Sequence, residues 1–516
     1  MAAGVVLLAA ALVAALTVVV FLIRGGGDVG QASNWPINWE LRSSDNGVLF
    51  QLMQDVVAGR PLDWSFSPQV YVFPEIPVSA LAFAVTGGSV HAYYIAVAAL
   101  NNALLFLALV GLVRVLFPAD GLRTTTLRAG IAMLPLLALP VIGTSWILSF
   151  HLAPTYYFGM YLALIAAPTL LLARRRGIRI AVGVALAMTV ASNPLTAVFA
   201  AIGAVVAIIL LLVGRGWRTA VALVAALGGV LAVALAVRLA LFTPLQGTSP
   251  LTYIDAELFA GRLAQIWPYF AFEARNPATA VVLAAGATCA VLSLAAAVVA
   301  AARYLRLPEP RDPRLLVVVY LGLVPLGGLA MTAVLQITHF LYFWPVLILP
   351  LVLLGLAVPR VAVSFAAPTG LILLVGLAVA GGAIGNLAHV DRYVSYASPE
   401  TRCIDGALPP DATVGYATFS DARRVSLTSA TPFRLIPIEP DGVPSTWLTN
   451  RAYPRTEAGR FFYLNGSGDQ PTIDPEFLRA EFGPPDVEVE CSATQSVWIY
   501  DDPAKRDRIA EFYGVE

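Results

Sequence analysis

The chain has 516 residues, of which 58% are hydrophobic and 12% charged, with a mean hydropathy of +0.77 and a formal net charge of zero. Half the charged share of a soluble domain excludes an ordinary cytosolic enzyme, and this apolar content excludes a disordered chain. A neutral balance without a basic block argues against nucleic acid as a partner, which leaves a polytopic membrane protein.

The charges divide along the chain. Residues 1–390 carry 20 Arg against 12 Asp and Glu, whereas residues 391–516 carry 20 Asp and Glu against 12 Lys and Arg. All the long apolar runs lie in the first part. The expected organisation is a transmembrane domain over 1–390 and a soluble domain over 391–516, the latter large enough for its own core.

A helix needs about 20 apolar residues to span a bilayer. This rule predicts about 11 transmembrane helices, near 5–23, 91–116, 129–148, 155–173, 180–193, 195–213, 219–242, 278–302, 314–335, 340–358 and 361–387. The run over 180–213 is divided at Ser192-Asn193-Pro194, because Pro194 lacks the N–H that a helix interior needs. With the N-terminus cytoplasmic, the inside loops hold 14 Arg and the outside loops six, the positive-inside asymmetry. The domain over 391–516 is then extracytoplasmic, and the chain is expected as a multi-pass protein of the cell (inner or plasma) membrane. The first apolar segment lacks a charged n-region and reads as an anchor, not a cleaved signal.

The first long outside loop covers 25–90. Gly47–Ala58 carries Val48, Leu52 and Val56 on one face, which predicts an amphipathic helix with Asp45 or Asn46 near its N-cap and Gly59 as its stop. Asp55 is expected in solvent. After Pro74 comes Ile76–Val85, too short to span and expected to lie in the interface. Trp35, Trp39, Trp64 and Tyr71 fit an aromatic belt at the headgroup level. The second long outside loop, 243–277, brings Tyr253, Asp255 and Arg262. His151 and His339 both fall just outside spans, on the same side.

In the last 126 residues, 411–418, 424–429, 434–438, 460–464 and 487–500 read as strands from their β-branched and aromatic content. Residues 474–482 and 503–513 read as helices, giving a small α/β or α+β domain. Cys403 and Cys491 near its ends suit a disulfide outside the cytoplasm, though two unpaired core cysteines fit as well. Trp447, Asn450, Arg451 and Tyr453 form a segment read either as an acceptor-contacting surface or as a structural turn.

One span, an outside loop with an early acid at Asp45, a helix ending at Gly59, a short apolar helix led by Pro74 and a span ending in Arg114 together resemble the GT-C class. These are multi-spanning glycosyltransferases that use sugars linked to polyprenyl phosphate. The resemblance implies a GT-C-like helical membrane domain and transfer of the sugar to an envelope glycan, lipid or protein at the outer face. It further implies Asp45 as catalytic base, with Glu40 as a second candidate. This sequence departs from the family's pattern in two ways: Asn46 follows Asp45 where a second acid is frequent, and His151 stands where the second loop usually has an acid. Arg42, Arg262, His151, His339, Tyr253 and Asp255 are candidate donor-phosphate and substrate ligands. A divalent metal could join Asp45 and the two histidines. A transporter or flippase, and a non-catalytic envelope assembly protein, are the alternatives. No nucleotide-binding loop, zinc-protease motif or nucleophile elbow is present.

Overall fold

The computed structural model describes residues 2–25, 43–142, 146–155, 157–173, 175–214, 216–247, 259–307, 312–335, 340–356, 396–431, 433–453, 460–466 and 472–514. Six of the described helices are long and apolar enough to cross a membrane, and four shorter apolar helices accompany them. The chain is a multi-pass helical membrane protein with a small C-terminal sheet domain. The expected span over 361–387 lies outside the described residues.

Helix α1 (Ala2–Gly25) opens the bundle. In the long first loop lie α2 (Ser44–Val57) and α3 (Glu75–Thr86). Helix α4 (Val90–Leu116) is capped by the Ser89 hydroxyl, which accepts from the Ala92 N–H, and it carries Arg114 in its last turn, where the helix dipole favours a cation. Helix α5 runs Leu122–Ile142, earlier than the expected 129–148, and turns of 3₁₀ helix at Trp146–Leu148 and Phe150–Leu152 follow it. The expected span 155–173 is divided by Pro168 into α6 (Phe158–Ala166) and α7 (Pro168–Leu172).

Helix α8 (Arg176–Ser192) stops where expected, and α9 (Leu195–Val213) begins after Pro194. The Asn193 carboxamide oxygen accepts from the Leu195 N–H. Helix α10 (Trp217–Val237) exposes Val221, Val224, Leu231, Val233 and Leu235, the surface of a span that faces lipid tails. A short π-helical turn, Arg238–Phe242, ends it. Helices α11 (Phe259–Glu273), α12 (Pro277–Arg306), α13 (Arg314–Leu335) and α14 (Trp344–Leu356) complete the described bundle. Asn276 caps α12 by accepting from the N–H groups of Ala278 and Thr279.

Several buried polar groups inside the bundle find partners, which offsets the cost of placing them in an apolar medium. The Asn102 amide donates to Thr17 on α1 at 3.0 Å, and Asn101 donates to the carbonyls of His151 and Ala153. Near the opposite ends of these helices, Arg128 and Asp120 form a buried ion pair at 2.8 Å.

The C-terminal domain contains β1 (Val414–Ala417), β2 (Arg434–Pro437), β3 (Phe461–Asn465), β4 (Val487–Ser492) and β5 (Gln495–Tyr500) in the order β2-β1-β3-β5-β4. The first three run parallel, and the β4–β5 hairpin joins antiparallel. The expected single strand over 487–500 is therefore a hairpin, turned at residues 493–494 between β4 and β5. The expected strand over 424–429 is instead helix α16 (Phe419–Thr428), because Ala422, Val425 and Thr428 recur at helical spacing and bury together. Helix α15 (Pro399–Ala407) was not expected; Ser398 caps it and Pro399 starts it. Helices α17 (Pro475–Phe482) and α18 (Pro503–Tyr513) stand where expected. Cys403 of α15 and Cys491 of β4 form a disulfide across 88 residues.

Between bundle and sheet domain runs the long first loop. Ser65 N–H donates to the Thr449 carbonyl at 2.7 Å, and Arg451 N–H to the Asp63 carbonyl at 2.8 Å. Phe66 exchanges hydrogen bonds with Leu245 and Gly247, and Val70 donates to the Ser192 carbonyl. The Ser192 hydroxyl accepts from Val72 and Phe73. Arg238, costly in a span unless it finds partners, donates to the carbonyls of Ala191 and Pro68, each at 2.9 Å. The break at Pro194 thus provides the polar groups that hold the loop down.

Two expectations about this loop are corrected. Trp64 and Tyr71 do not lie in an aromatic belt; both are buried, Trp64 against Tyr453 of the sheet domain. Asp55 is not solvated but 1% exposed. It accepts from Trp64 Nε1 at 3.1 Å, Asn450 Nδ2 at 3.0 Å and the Tyr453 hydroxyl, and it pairs with Arg60 at 3.3 Å and Arg434 at 3.6 Å. Asn450, Arg451 and Tyr453 therefore clamp the head to the loop, Arg451 through Asp63 at 2.6 Å.

Replacing Asp55 by Ala leaves the Arg434 guanidinium and three donors in a dry interface, a loss of about 3–5 kcal/mol. Thermal unfolding in detergent should show it, and proteolysis should then cut between head and bundle. Cys403→Ser frees a loop of 88 residues, and chain entropy alone predicts a loss of roughly 4–5 kcal/mol. Reductant should lower the wild-type melting temperature and leave that of Cys403→Ser unchanged.

Candidate active site

Asp45 stands in the first turn of α2. The N-cap is Ser43, whose side chain makes no cap hydrogen bond, so Asp45 and Asn46 stand near the N-cap as expected without being it. The helix is buried on both sides, with Val48, Leu49, Phe50, Leu52 and Met53 inside. Its amphipathic stripe covers only part of that surface, because α16 of the head packs over the other face. Gly47 is the crossing point. A Cβ there would collide with Leu427 and meet the Arg423 side chain at 3.3 Å, so the absence of a side chain sets how closely the two helices approach. The Ser44 hydroxyl donates to the Ser420 carbonyl beside it.

This crossing brings Arg423 to Asp45. Arg423 is 1% exposed. Its Nε donates to the Gln51 amide oxygen at 3.0 Å, its Nη2 to the Leu448 carbonyl, and its guanidinium lies 4.9 Å over the Phe419 ring. Burial pushes the Asp45 carboxyl from 3.8 up to about 6, and the Arg423 charge holds it back from going further. Burial draws the Arg423 guanidinium down to about 10, against the opposing pull of Asp45. Accessible surface leaves Asp45 half-buried, so its carboxyl lies deep in protein while the residue keeps an opening to solvent.

Around this pair are Tyr71, Glu75, Tyr157 and Tyr342. The Tyr71 hydroxyl is raised well above its ordinary value by burial and then by the charge of Asp45. The hydroxyls of Tyr157 and Tyr342 lie 3.3 Å apart. Glu75, missed in the sequence, is 5% exposed and accepts from the Gly159 N–H at 2.9 Å. Burial pushes it to about 7. A side chain at position 159 would strike Pro74 and Glu75. Glu75 could have been flagged as an acid following Pro in an otherwise apolar segment. Arg423 had no comparable signal.

Backbone conformation marks the same place. Among the described residues, three other than glycine have positive φ: Tyr71 at 52°, Tyr157 at 60° and Leu448 at 50°. Tyr71 and Tyr157 belong to the cluster, and the Leu448 carbonyl accepts from Arg423. Such conformations cost about 1–3 kcal/mol each and gather at functional sites.

The other expected site residues fall as follows. His151 is fully buried, its Nε2 3.0 Å from the Leu136 carbonyl and its ring 6.2 Å from Trp344. Thr155, four residues on, donates to the Asn46 side chain at 3.1 Å, so the segment borders α2. Arg262 belongs to α11, with its side chain outside the description. Glu40, Arg42, Tyr253, Asp255 and His339 lie outside the described residues. Among the described residues no three His, Cys, Asp or Glu side chains gather to hold a metal ion, and no step is derived through one. A small apolar cavity of about 60 Å³ lies among α7, α9, α10 and α13, away from this cluster.

No family model matches the chain, and no curated protein matches it. Solved structures resemble it at low identity. A crystal structure of ArnT from Cupriavidus metallidurans bound to undecaprenyl phosphate superposes with a TM-score of 0.48 and 14% identity, over 98% of this chain and 99% of that one. The same ArnT in the apo state gives 0.42 and 14%, over 95% and 97%. An Archaeoglobus fulgidus oligosaccharyltransferase, in complex with Zn and sulfate, gives 0.44 and 12%, over 83% of this chain and 62% of that one.

Removing the cation by Arg423→Gln should push the Asp45 titration further up, because the charge that favours the carboxylate is gone. Infrared difference spectra of this variant against Arg423→Gln/Asp45→Asn would read the shift. The raised pKa also sets a sign. Between pH 3.8 and about 6 the folded state holds the Asp45 proton more tightly, so this group's contribution to stability falls as pH rises through that window.

Proposed function

We propose that this chain is a membrane glycosyltransferase that moves a sugar from a polyprenyl-phosphate donor to an envelope glycan, lipid or protein acceptor at the extracytoplasmic face. The observation that carries this reading is Asp45: a carboxylate with a pKa near 6, facing a buried guanidinium, at the junction of loop, bundle and head. Such a group is ionised at neutral pH yet close enough in pKa to take a proton.

The transfer balances simply. The acceptor hydroxyl oxygen attacks the anomeric carbon, the bond from that carbon to the phosphate oxygen breaks with its electron pair leaving on phosphate, and Asp45 takes the hydroxyl proton. Fixed positive charge near the departing phosphate lowers the barrier. Arg423 supplies charge on the head side. Arg42, Arg262, His151 and His339 stay proposed as donor-phosphate ligands, Tyr253 and Asp255 as sugar-binding groups, and Glu40 as the second candidate base. The orientation with the head outside follows the arginine distribution and agrees with the Cys403–Cys491 disulfide, a bond that persists in oxidising compartments.

Asp45→Asn keeps the shape and removes the base, so transfer of radiolabelled sugar from polyprenyl phosphate in membranes should fall about 10²–10⁴-fold. In the wild type, kcat/KM should decline as pH drops below about 6, since the protonated carboxyl is no base. Glu75→Gln keeps the acceptor for Gly159 N–H and should preserve that acid limb. Full activity in Asp45→Asn would remove the base assignment.

A further inference from the structure

A cleft of about 660 Å³ opens between α2, the α3–α4 corner and the head, beyond the Asp45 cluster. We infer that it binds a carbohydrate chain, the glycan portion of the acceptor; this rests on the transferase reading above. Its lining decides the ligand class. Gln54 presents its amide from α2 and Thr431 its hydroxyl from the turn after α16; Gln51, Ser426 and Ser429 line the wall between them, bonded within the protein but with lone pairs to spare. Amides and hydroxyls both donate and accept, as a ring of sugar hydroxyls requires. Phe83, half-buried and backed by the buried Phe50, supplies apolar surface among them, against which the CH face of a sugar ring can lie.

Other ligand classes fit poorly. A prenyl chain would need an apolar wall, and this one is lined largely by polar groups. A cationic ligand would need a free carboxylate, but Asp55 already receives Trp64, Asn450, Tyr453, Arg60 and Arg434. Arg60 and Arg434, the latter stacked 4.0 Å over the Tyr453 ring, both pair with Asp55, so the charged side chains of the lining sum to a single positive charge. That charge tolerates a glycan bearing a carboxylate or phosphate. The volume lies within the range of small-ligand sites.

Gln51 connects the cleft to the chemistry. Its amide nitrogen donates to Ser426 at 3.2 Å, while its oxygen accepts from Arg423, the cation that faces Asp45. Glycan in the cleft therefore touches the same side chain that positions the active-site guanidinium.

The test uses the purified full chain and an array of immobilised oligosaccharides, neutral and acidic. Gln54 is exposed, so Gln54→Trp fills the cleft from α2, and Thr431→Trp fills it from the head side. The wild type should retain at least one oligosaccharide class, and each variant should lose at least tenfold in affinity with an unchanged melting temperature. Asp45→Asn should bind the array as the wild type does. Failure of the wild type to bind any sugar, or equal binding by both filled variants, overturns the cleft assignment. Binding to the array by a wild type that transfers no sugar in membranes would instead sink the transferase reading and leave the cleft standing.

Discussion

The carboxylate of Asp55 is the interaction on which the arrangement depends. It is a charge taken out of water, tolerable only because five groups converge on it, two of them cationic. Three of those partners, Arg434, Asn450 and Tyr453, belong to a domain nearly four hundred residues further on. The network therefore does more than satisfy one acid. It fixes the head against α2, and the same docking lays α16 across Gly47. Without that crossing Asp45 would face solvent with no cation opposite, and its carboxyl would have no reason to titrate near 6.

The membrane bundle contributes by a different route. Its polar contacts to the loop gather at helix ends. The Ser192-Asn193-Pro194 break leaves a hydroxyl and a carbonyl without helical partners, and these receive the loop at Val70, Val72 and Phe73. Arg238 closes the same corner from α10. A helix break that looks like a mere reversal of direction is the seat of the segment carrying Tyr71 and Glu75. The strained backbone at Tyr71 is held on both sides by such contacts, at Val70 and at Val72.

Much of this architecture was legible in the sequence because its causes are local. A run of about 20 apolar residues, a proline without an N–H and a serine or asparagine before a helix each act within a few residues, and the expected spans over 91–116, 195–213 and 314–335 match helices to within one residue. Aromatic and β-branched content placed the core strands of the head but misjudged α16, whose arginines, serines and threonine hide a helical spacing of buried positions. The fate of Asp55 and the role of Arg423 could not be read at all. Both depend on contacts between segments separated by more than 370 residues, and no local pattern distinguishes a buried charge with distant partners from a solvated one. Asp45 was legible as a candidate only by position; its environment belongs to the fold.

The wide separation between Gln51 and Arg423, 372 residues, also bears on biogenesis. Translation delivers the carboxylate early and its opposing cation last, after every span described here has been made. A nascent chain therefore has a membrane portion long before it has the cation that faces Asp45. The disulfide of the head, between α15 and β4, closes later still, because Cys491 follows Arg423 in the chain.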